Sequence, residues 1–396
     1  MPDFPYDRLR RWPDVEAENL QAHDATDLLL VERALALGIA GEKIAVIGDE
    51  YGAITLALTD AGRTGVRVHQ DLATGRRALL RNAEELGLSG FASHELDRSL
   101  LDGARLVLLQ LPKALAELEE ITDAVARWAA PDVVLVAGGR VKHMTLAQND
   151  VLARRFAEVQ PQRAERKSRL IVASAPLPAP AAAPFPVSTV HGGLTVVAHG
   201  GAFAGSRIDI GTRVLLDALA GFGSQLSKNG PAIADIDPEG RDSSRSCGVV
   251  NGAPTVIDLG CGTGVLAVSY ALAHPGARVI ATDRSASAVA SARATVEANA
   301  LADRIAVTHD DAGSALADAS ADVVLLNPPF HLGASIHTGA ATRLFEAAAR
   351  MLRPGGELWT VYNSSLGYRA ELSRLIGETE QVLRTPKFTV TRSIRR

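Results

Sequence analysis

The sequence predicts an α/β protein built from two tandem doubly wound domains, and three observations carry that expectation. Short apolar runs alternate with amphipathic stretches of helix length on both sides of residue 180. A proline-rich stretch separates the two series. Segments of the first series also echo segments of the second, in the same order. Strands and helices alternating at this spacing give a parallel sheet covered on both faces.

In order, residues 27–37 predict a helix with Thr26 as N-cap, and 43–47 a short strand. Residues 53–59 begin a helix, 66–69 form a strand, and 74–86 a helix. Residues 105–109 and 133–136 supply two further buried strands. The stretch SAPLPAPAAAPFP, residues 174–186, denies helix and central-strand geometry through its prolines and reads as a semi-rigid linker. Beyond it the pattern resumes. Strands are expected at 256–259, 278–281, 305–308, 322–326 and 357–361, with helices at 265–273 and 287–298. The polar segment 224–255 reads as a long surface loop after an opening helix.

The halves echo each other. LVLLQLPK (106–113) parallels VVLLNPPF (323–330), and VIGDEYGAI (46–54) more faintly parallels VIDLGCGTG (256–264). The expectation is a duplication whose first copy has lost its ligand. It carries Glu50, Gly52 and Ile54 where the second carries Gly260, Gly262 and Gly264, and a carboxylate or branched side chain there blocks close backbone approach.

Composition excludes several classes. With 22% charged residues and a net charge of −4, the chain is ordinary for a globular protein and is no polycation. Its two cysteines, Cys247 and Cys261, support neither a disulfide framework nor a cysteine-rich zinc site, and no metal ligand set is expected. The first twenty residues lack the apolar core of a signal peptide, and no apolar run reaches bilayer length, so a cytoplasmic location is expected.

The first chemical signal is Val256-Ile-Asp-Leu-Gly-Cys-Gly-Thr-Gly264. A buried strand enters a loop with glycine at alternate positions, where the backbone can touch a ligand without side chains intervening. Asp258 is placed to accept from a cationic or amine group. The spacing is not the G-x-G-x-x-G of dinucleotide sites, and no phosphate loop is present. Asp283 ends the next strand, where a carboxylate takes both hydroxyls of a ribose or else caps the following helix. After the third strand come Asp310 and Asp311; Asp311 is the expected acceptor for an adenine amino group, an exposed acidic loop being the alternative.

This ensemble resembles the class I S-adenosylmethionine-dependent methyltransferases, a Rossmann-like fold, over about 180 residues. The resemblance implies that Gly260, Gly262 and Gly264 hold the methionine part of the cofactor, Asp283 the ribose and Asp311 the adenine.

The second signal is Asn327-Pro328-Pro329-Phe330 after an apolar strand. An exocyclic amine on a conjugated ring is a poor nucleophile because its lone pair is delocalised. Two fixed acceptors, the Asn327 side-chain oxygen and the Pro328 carbonyl, hold its hydrogens and aim a tetrahedral lone pair at the methyl group. The prolines, Pro328 and Pro329, stiffen the turn, and Phe330 offers a stacking face for a flipped base. His331 either contacts the base or caps the loop. With Phe203, Asp209, Gly211 and Thr212 upstream, the chain resembles the bacterial ribosomal RNA guanine-N2 methyltransferases of the small- and large-subunit pair. It is closer to the large-subunit 23S enzyme, and that family also carries a degenerate first copy. The resemblance places Asp209 with the cofactor groups, and Asn363 and Tyr368 beside the pocket, though Tyr368 equally suits the core.

Between residues 140 and 169, eight cationic side chains face only three acidic ones, with Arg166, Lys167 and Arg169 clustered. Such an excess suits RNA phosphates, a solvated helix face being the bland alternative. The expected organisation is therefore a degenerate methyltransferase-like domain over 1–173 that docks RNA, the linker 174–186, and a catalytic domain over 187–396. The expected reaction is methyl transfer from S-adenosylmethionine to the 2-amino group of a guanine in ribosomal RNA, 23S before 16S, with ribosomal RNA or a subunit as partner. Two rivals remain at this point. One is amino-group methylation of adenine or cytosine in DNA, or of a protein glutamine; the other is a non-catalytic RNA-binding or assembly protein. A monomer is allowed.

Overall fold

A computed structural model describes residues 4–229, 253–329 and 337–396. The first half runs α1 (Ala25–Leu37), β1 (Ile44–Ile47), α2 (Ala53–Asp60), β2 (Val66–His69), α3 (Ala73–Leu86), β3 (Phe91–Ser93), α4 (Arg98–Leu101) and β4 (Leu106–Gln110). It continues with α5 (Leu115–Trp128), β5 (Val134–Arg140), α6 (Leu146–Ala153), β6 (Phe156–Pro161) and β7 (Ser168–Pro176). A hairpin, β8 (Val187–His191) and β9 (Leu194–Ala198), leads to α7 (Ile210–Asn229). The second half follows with β10 (Thr255–Leu259), α8 (Val265–Ala273), β11 (Arg278–Asp283), α9 (Ala286–Ala298), β12 (Ile305–His309) and β13 (Ala321–Leu326). It closes with α10 (His337–Met351), β14 (Leu352–Asn363), α11 (Arg369–Leu375), β15 (Thr379–Arg384) and β16 (Phe388–Ile394).

Two seven-stranded sheets share one topology. Their orders are β3-β2-β1-β4-β5-β7-β6 and β12-β11-β10-β13-β14-β16-β15. In each, the sixth strand in that order, β7 or β16, runs antiparallel to both of its neighbours. Because side chains alternate across a strand, each strand feeds two cores. Ile44 and Val46 of β1 pack on one face and Ala45 and Ile47 on the other. In β10, Val256 and Ile257 divide in the same way. Apolar runs without polar interruption are what a strand buried on both sides requires.

Strand register fixes the echo between the halves. Ile47 lies opposite His69 and Leu109, and Leu259 opposite Thr282 and Leu326. Gln110 therefore stands where the second half has Asn327, as the sequence echo predicts. The glycine loops align differently from expectation. Gly48, Glu50 and Gly52 match Gly260, Gly262 and Gly264, a correction of two residues. Gly52 and Gly264 are both left-handed N-caps, with φ of 93° and 79°. The first loop is closed on itself. The Asp49 carboxylate accepts from the amides of Gly52 (3.0 Å), Ile54 (3.3 Å) and Thr55 (2.7 Å). A Cβ on Gly48 would meet Gln110 at 3.2 Å.

Three further expectations change. Asp24, not Thr26, caps α1. Its extended backbone lets its side chain accept from the Thr26 amide (2.6 Å), while Thr26 is buried against the Ser168 hydroxyl (2.9 Å). Residues 174–176 are not linker but the end of β7, paired to β6 alone, where a proline costs no bond to a second neighbour. Helix α7 runs through Asn229, so 224–229 is not loop; residues 230–252 of that expected loop lie outside the described residues. Among the described residues, no helix is long and apolar enough to cross a membrane.

The halves are joined by more than chain. The turn before α3 and the turn before α9 pair across the seam. The Ala73 amide donates to the Arg284 carbonyl (2.8 Å) and the Ala286 amide to the Asp71 carbonyl (2.9 Å). The Asp71 side chain also accepts from the Ser287 amide at 2.8 Å. Arg77 of α3 reaches the Asp310 carboxylate and the Ser314 hydroxyl. A cavity of about 300 Å³ remains at the C-terminal ends of the first sheet's strands, with Ser287 and Val289 of α9 in its lining.

Candidate active site

The C-terminal ends of β10, β11, β12 and β13 converge on one edge of the second sheet, where an open parallel sheet binds its ligands. The Gly260 and Cys261 amides both donate to the Thr282 carbonyl, at 2.8 and 3.0 Å, which draws the glycine loop over β11. Gly260 and Gly262 hold φ of 77° and 54°, and a Cβ on either would point into open space. Room for a ligand therefore lies beside these two. Gly264 differs, since a Cβ there would sit 3.2 Å from Ala292 of α9. Its part is close helix packing.

Asp258 is fully buried beneath the loop. One carboxylate oxygen accepts from the Ala267 amide (2.9 Å), and the other is buried with no partner among the described residues. Burial pushes its pKa up to about 7. Such a carboxylate becomes stable when a cation or donor reaches the free oxygen. Asp283 accepts from the Gly262 amide (2.9 Å) and the Ser285 amide (2.9 Å), which fixes its carboxylate at the loop. Burial raises its pKa against the pull of those two amides. It is not the helix cap; Ser285 fills that place, accepting from Ala288.

The two aspartates after β12 divide their work. Asp310 is engaged by Arg77, by the Ser314 hydroxyl (2.7 Å) and by the Ala315 amide (2.7 Å), so it is a seam residue. Asp311 pairs with Arg343 of α10. Its carboxyl pKa is raised by burial, with Arg343 opposing.

Asn327, at the end of β13, has the most specific surroundings. Its Nδ2 donates to the Thr212 hydroxyl (3.0 Å) and to the Asp209 carboxylate (3.3 Å). A carboxylate only accepts, so it selects the amide face that donates. The Asn327 Oδ1 is left buried and without a partner among the described residues. Asp209 is itself held by the Gly211 amide at 2.8 Å. A Cβ on Gly211 would come within 3.2 Å of Asn327 Oδ1, so only glycine leaves this approach open. Asp209, expected among the cofactor groups, is thus brought to Asn327. Thr212 is a site residue that the sequence left unassigned; it lies one turn from Asp209, and nothing in one dimension linked it to position 327.

The remaining expected residues fall as follows. Pro328 is buried and Pro329 exposed, while Phe330 and His331 lie outside the described residues. Asn363 caps a single helical turn, its Oδ1 accepting from the Ser365 amide (3.1 Å) and hydroxyl (3.0 Å). Tyr368 is core, edge-on to Phe345 and Tyr362. Arg166 pairs with Glu32 (3.0 Å), Arg154 with Glu119 (2.8 Å), Arg155 with Asp123 (2.8 Å) and Arg140 with Asp24 (3.5 Å). These four acids lie outside segment 140–169, so folding offsets much of its positive charge. Lys167 lies in the turn between β6 and β7, and Arg169 lies in β7 opposite Gly139 of β5.

A glycine loop, a strand-end carboxylate and an anchored Asn-Pro-Pro turn on this sheet order define a class I S-adenosylmethionine-dependent methyltransferase. Residues 249–392 match the methyltransferase small domain family, and residues 3–177 match the RLMG N-terminal domain. The chain is 35% identical to the ribosomal RNA large subunit methyltransferase G of Pseudomonas paraeruginosa, covering 97% of this chain and 96% of that protein. It is 33% identical to the protein of the same name from Streptomyces avermitilis, covering 98% and 97%. The chain belongs to the ribosomal RNA large subunit methyltransferase G family. Its fold is also that of the T. thermophilus 16S rRNA N2 G1207 methyltransferase in complex with AdoMet and guanosine. That match has a TM-score of 0.72 at 23% identity, over 94% of this chain and 92% of that one.

Proposed function

We propose that this protein methylates the exocyclic 2-amino group of a guanine in large-subunit ribosomal RNA, in the cytoplasm, with residues 187–396 as the catalytic unit. The observation that carries the chemistry is the orphaned Asn327 Oδ1, buried and aimed by its own tied-down amide nitrogen. The choice of guanine and of the large subunit rests on what the relatives and the T. thermophilus neighbour are named for.

In this reading Asn327 Oδ1 and the Pro328 carbonyl accept the two amine hydrogens. They hold the nitrogen tetrahedral and stabilise the positive charge that grows on it as its bond to the methyl carbon forms and the methyl–sulfur bond breaks; the sulfur leaves as a neutral thioether and the extra amine proton passes to water. Asp209 and Thr212 are positioning residues that keep the amide from turning over. S-adenosylmethionine supplies the methyl group, already activated on a sulfonium. Gly260 and Gly262 admit it to the loop backbone, Asp258 offers its free oxygen to an amine, and Asp283 and Asp311 serve the ribose hydroxyls and the adenine amino group. Gly264 contributes by packing.

Asn327→Ala should leave cofactor affinity nearly unchanged and lower turnover by roughly 100-fold or more. The substrate for this test is ribosomal RNA made without the enzyme, with methylated nucleosides identified by mass spectrometry. Product on a base other than guanine, or near-parent turnover by the variant, would overturn the reading.

A further inference from the structure

Phosphate contacts fix a nucleic acid's register and orientation on a protein, while base contacts specify the sequence. We infer that the docking surface for the phosphates flanking the target nucleotide is a cationic rim on the second half, formed by Arg207, Arg213, Arg384 and Lys387. This inference rests on the proposed RNA substrate and adds where that RNA sits.

Topology places these residues together. β14 runs beside β13 and extends to Asn363, past the level at which β13 gives way to Asn327. Asn363 lies opposite Phe388, and Arg384 opposite Thr389, so the turn joining β15 to β16 stands at the same sheet edge as Asn327. That turn is pinned there by the Ser364 amide, which donates to the Lys387 carbonyl at 2.9 Å. Arg207 and Arg213 bracket the Asp209–Thr212 segment that touches Asn327.

The charges have no carboxylate partner among the described residues, and the Lys387 ammonium lies 5.5 Å from the centroid of the Phe388 ring. All four side chains are exposed, and none forms an ion pair among the described residues. The 140–169 segment differs, since four of its arginines are spent on acids of the first half. Apolar surface is interleaved with the rim: Phe203 is 70% exposed, Ile210 56% and Leu366 42%. Cations alternating with exposed apolar side chains suit an unpaired RNA strand, whose phosphates take the charge and whose bases take the apolar faces. An acidic protein surface would use the charges and leave those apolar faces in water.

The test uses the full chain and an unmethylated large-subunit ribosomal RNA transcript, with binding measured at 50 and 200 mM salt as chosen conditions, about the range over which phosphate contacts are read. The paired variants Arg384→Ala/Lys387→Ala and Arg207→Ala/Arg213→Ala should each weaken RNA binding by about 10-fold. Each should also flatten the salt slope by roughly 1.5, because two phosphates would keep their counterions. S-adenosylmethionine affinity should be unchanged. Arg163→Ala/Lys167→Ala, on the first half, should move RNA affinity less than either pair. Parent-like affinity and slope in both rim pairs would overturn the inference, whichever segment then carried the loss. If an alanine pair lost cofactor binding as well, the corresponding glutamine pair would be read in its place. A parent protein that binds RNA through the rim but methylates no guanine would sink the proposed reaction and leave the rim standing.

Discussion

At the scale of single residues, the proposed site turns on which way one amide faces. Asn327 Nδ2 has two acceptors, the Thr212 hydroxyl and the Asp209 carboxylate, at 3.0 and 3.3 Å. Thr212→Val keeps the shape and removes the nearer acceptor. A neutral hydrogen bond contributes about 1 kcal/mol, so turnover should fall about 5- to 10-fold with cofactor affinity intact. Thr212→Ser should restore it. If valine turned over like the parent, the amide would be oriented by something else. Asp283 offers a separate reading. Its carboxylate already accepts two backbone amides and is proposed to take the ribose hydroxyls. Asp283→Ala should weaken S-adenosylmethionine binding by about 1.5–3 kcal/mol, the scale of hydrogen bonds to a charged group. Calorimetry giving the parent affinity in a folded variant would take Asp283 out of the site.

At the scale of elements, the strand-loop-helix unit of β10 and α8 is set by two different glycine requirements. Gly260 and Gly262 border open space, whereas Gly264 is crowded by Ala292. The common G-x-G-x-G spelling hides this division, because alternate glycines read alike until α9 packs against the loop. Gly264→Ala must adopt a left-handed backbone and push against α9, at a cost of about 2–4 kcal/mol. A denaturant midpoint equal to the parent's would show that α9 yields without strain. The two-residue offset in the first loop has a similar origin. Apolar letters matched Val46 to Val256, but pairing of β1 with β2 and of β10 with β11 matches Val46 to Asp258. A strand buried on both faces accepts either alignment of apolar residues; only its neighbours fix the register.

At the scale of the molecule, the first half braces the edge of the second sheet that is proposed to hold the cofactor. Asp71 pins the turn that follows Asp283, and Arg77 occupies Asp310, which leaves Asp311 as the carboxylate turned to α10. The seam also carries charge. Glu117 faces it with Asp71 and Glu120 nearby, Glu120 being paired to His199, and burial followed by those two carboxylates raises the Glu117 pKa to about 7. A carboxyl raised in the folded state contributes stability in full below its unfolded pKa and loses it as pH rises through about 7. The protein should therefore lose stability as pH rises from about 4.5 to about 7, in part through this group. Asp258 is raised to about 7 as well and pulls in the same direction, so the test is a difference between proteins. Glu117→Gln cannot titrate. Its melting temperature should gain on the parent's by about 2–4 °C on going from pH ~5.5 to ~8, for roughly 1 kcal/mol. A constant difference across that range would remove Glu117 as the source.

The duplicated α/β plan, the glycine loop after β10 and the Asn-Pro-Pro turn after β13 were legible in the order of amino acids alone. Each is written in contiguous residues whose apolar period and turn chemistry act over a few positions. Whatever required distant segments to meet was settled in three dimensions. Folding placed Asp209 and Thr212 on Asn327 across more than a hundred residues. It assigned Asp310 to Arg77 of the other half and set Glu32, Glu119 and Asp123 against arginines that looked free. Hydrogen bonds and ion pairs depend on distance in space, and local composition carries no record of which far-off partner the fold will bring within about 3 Å.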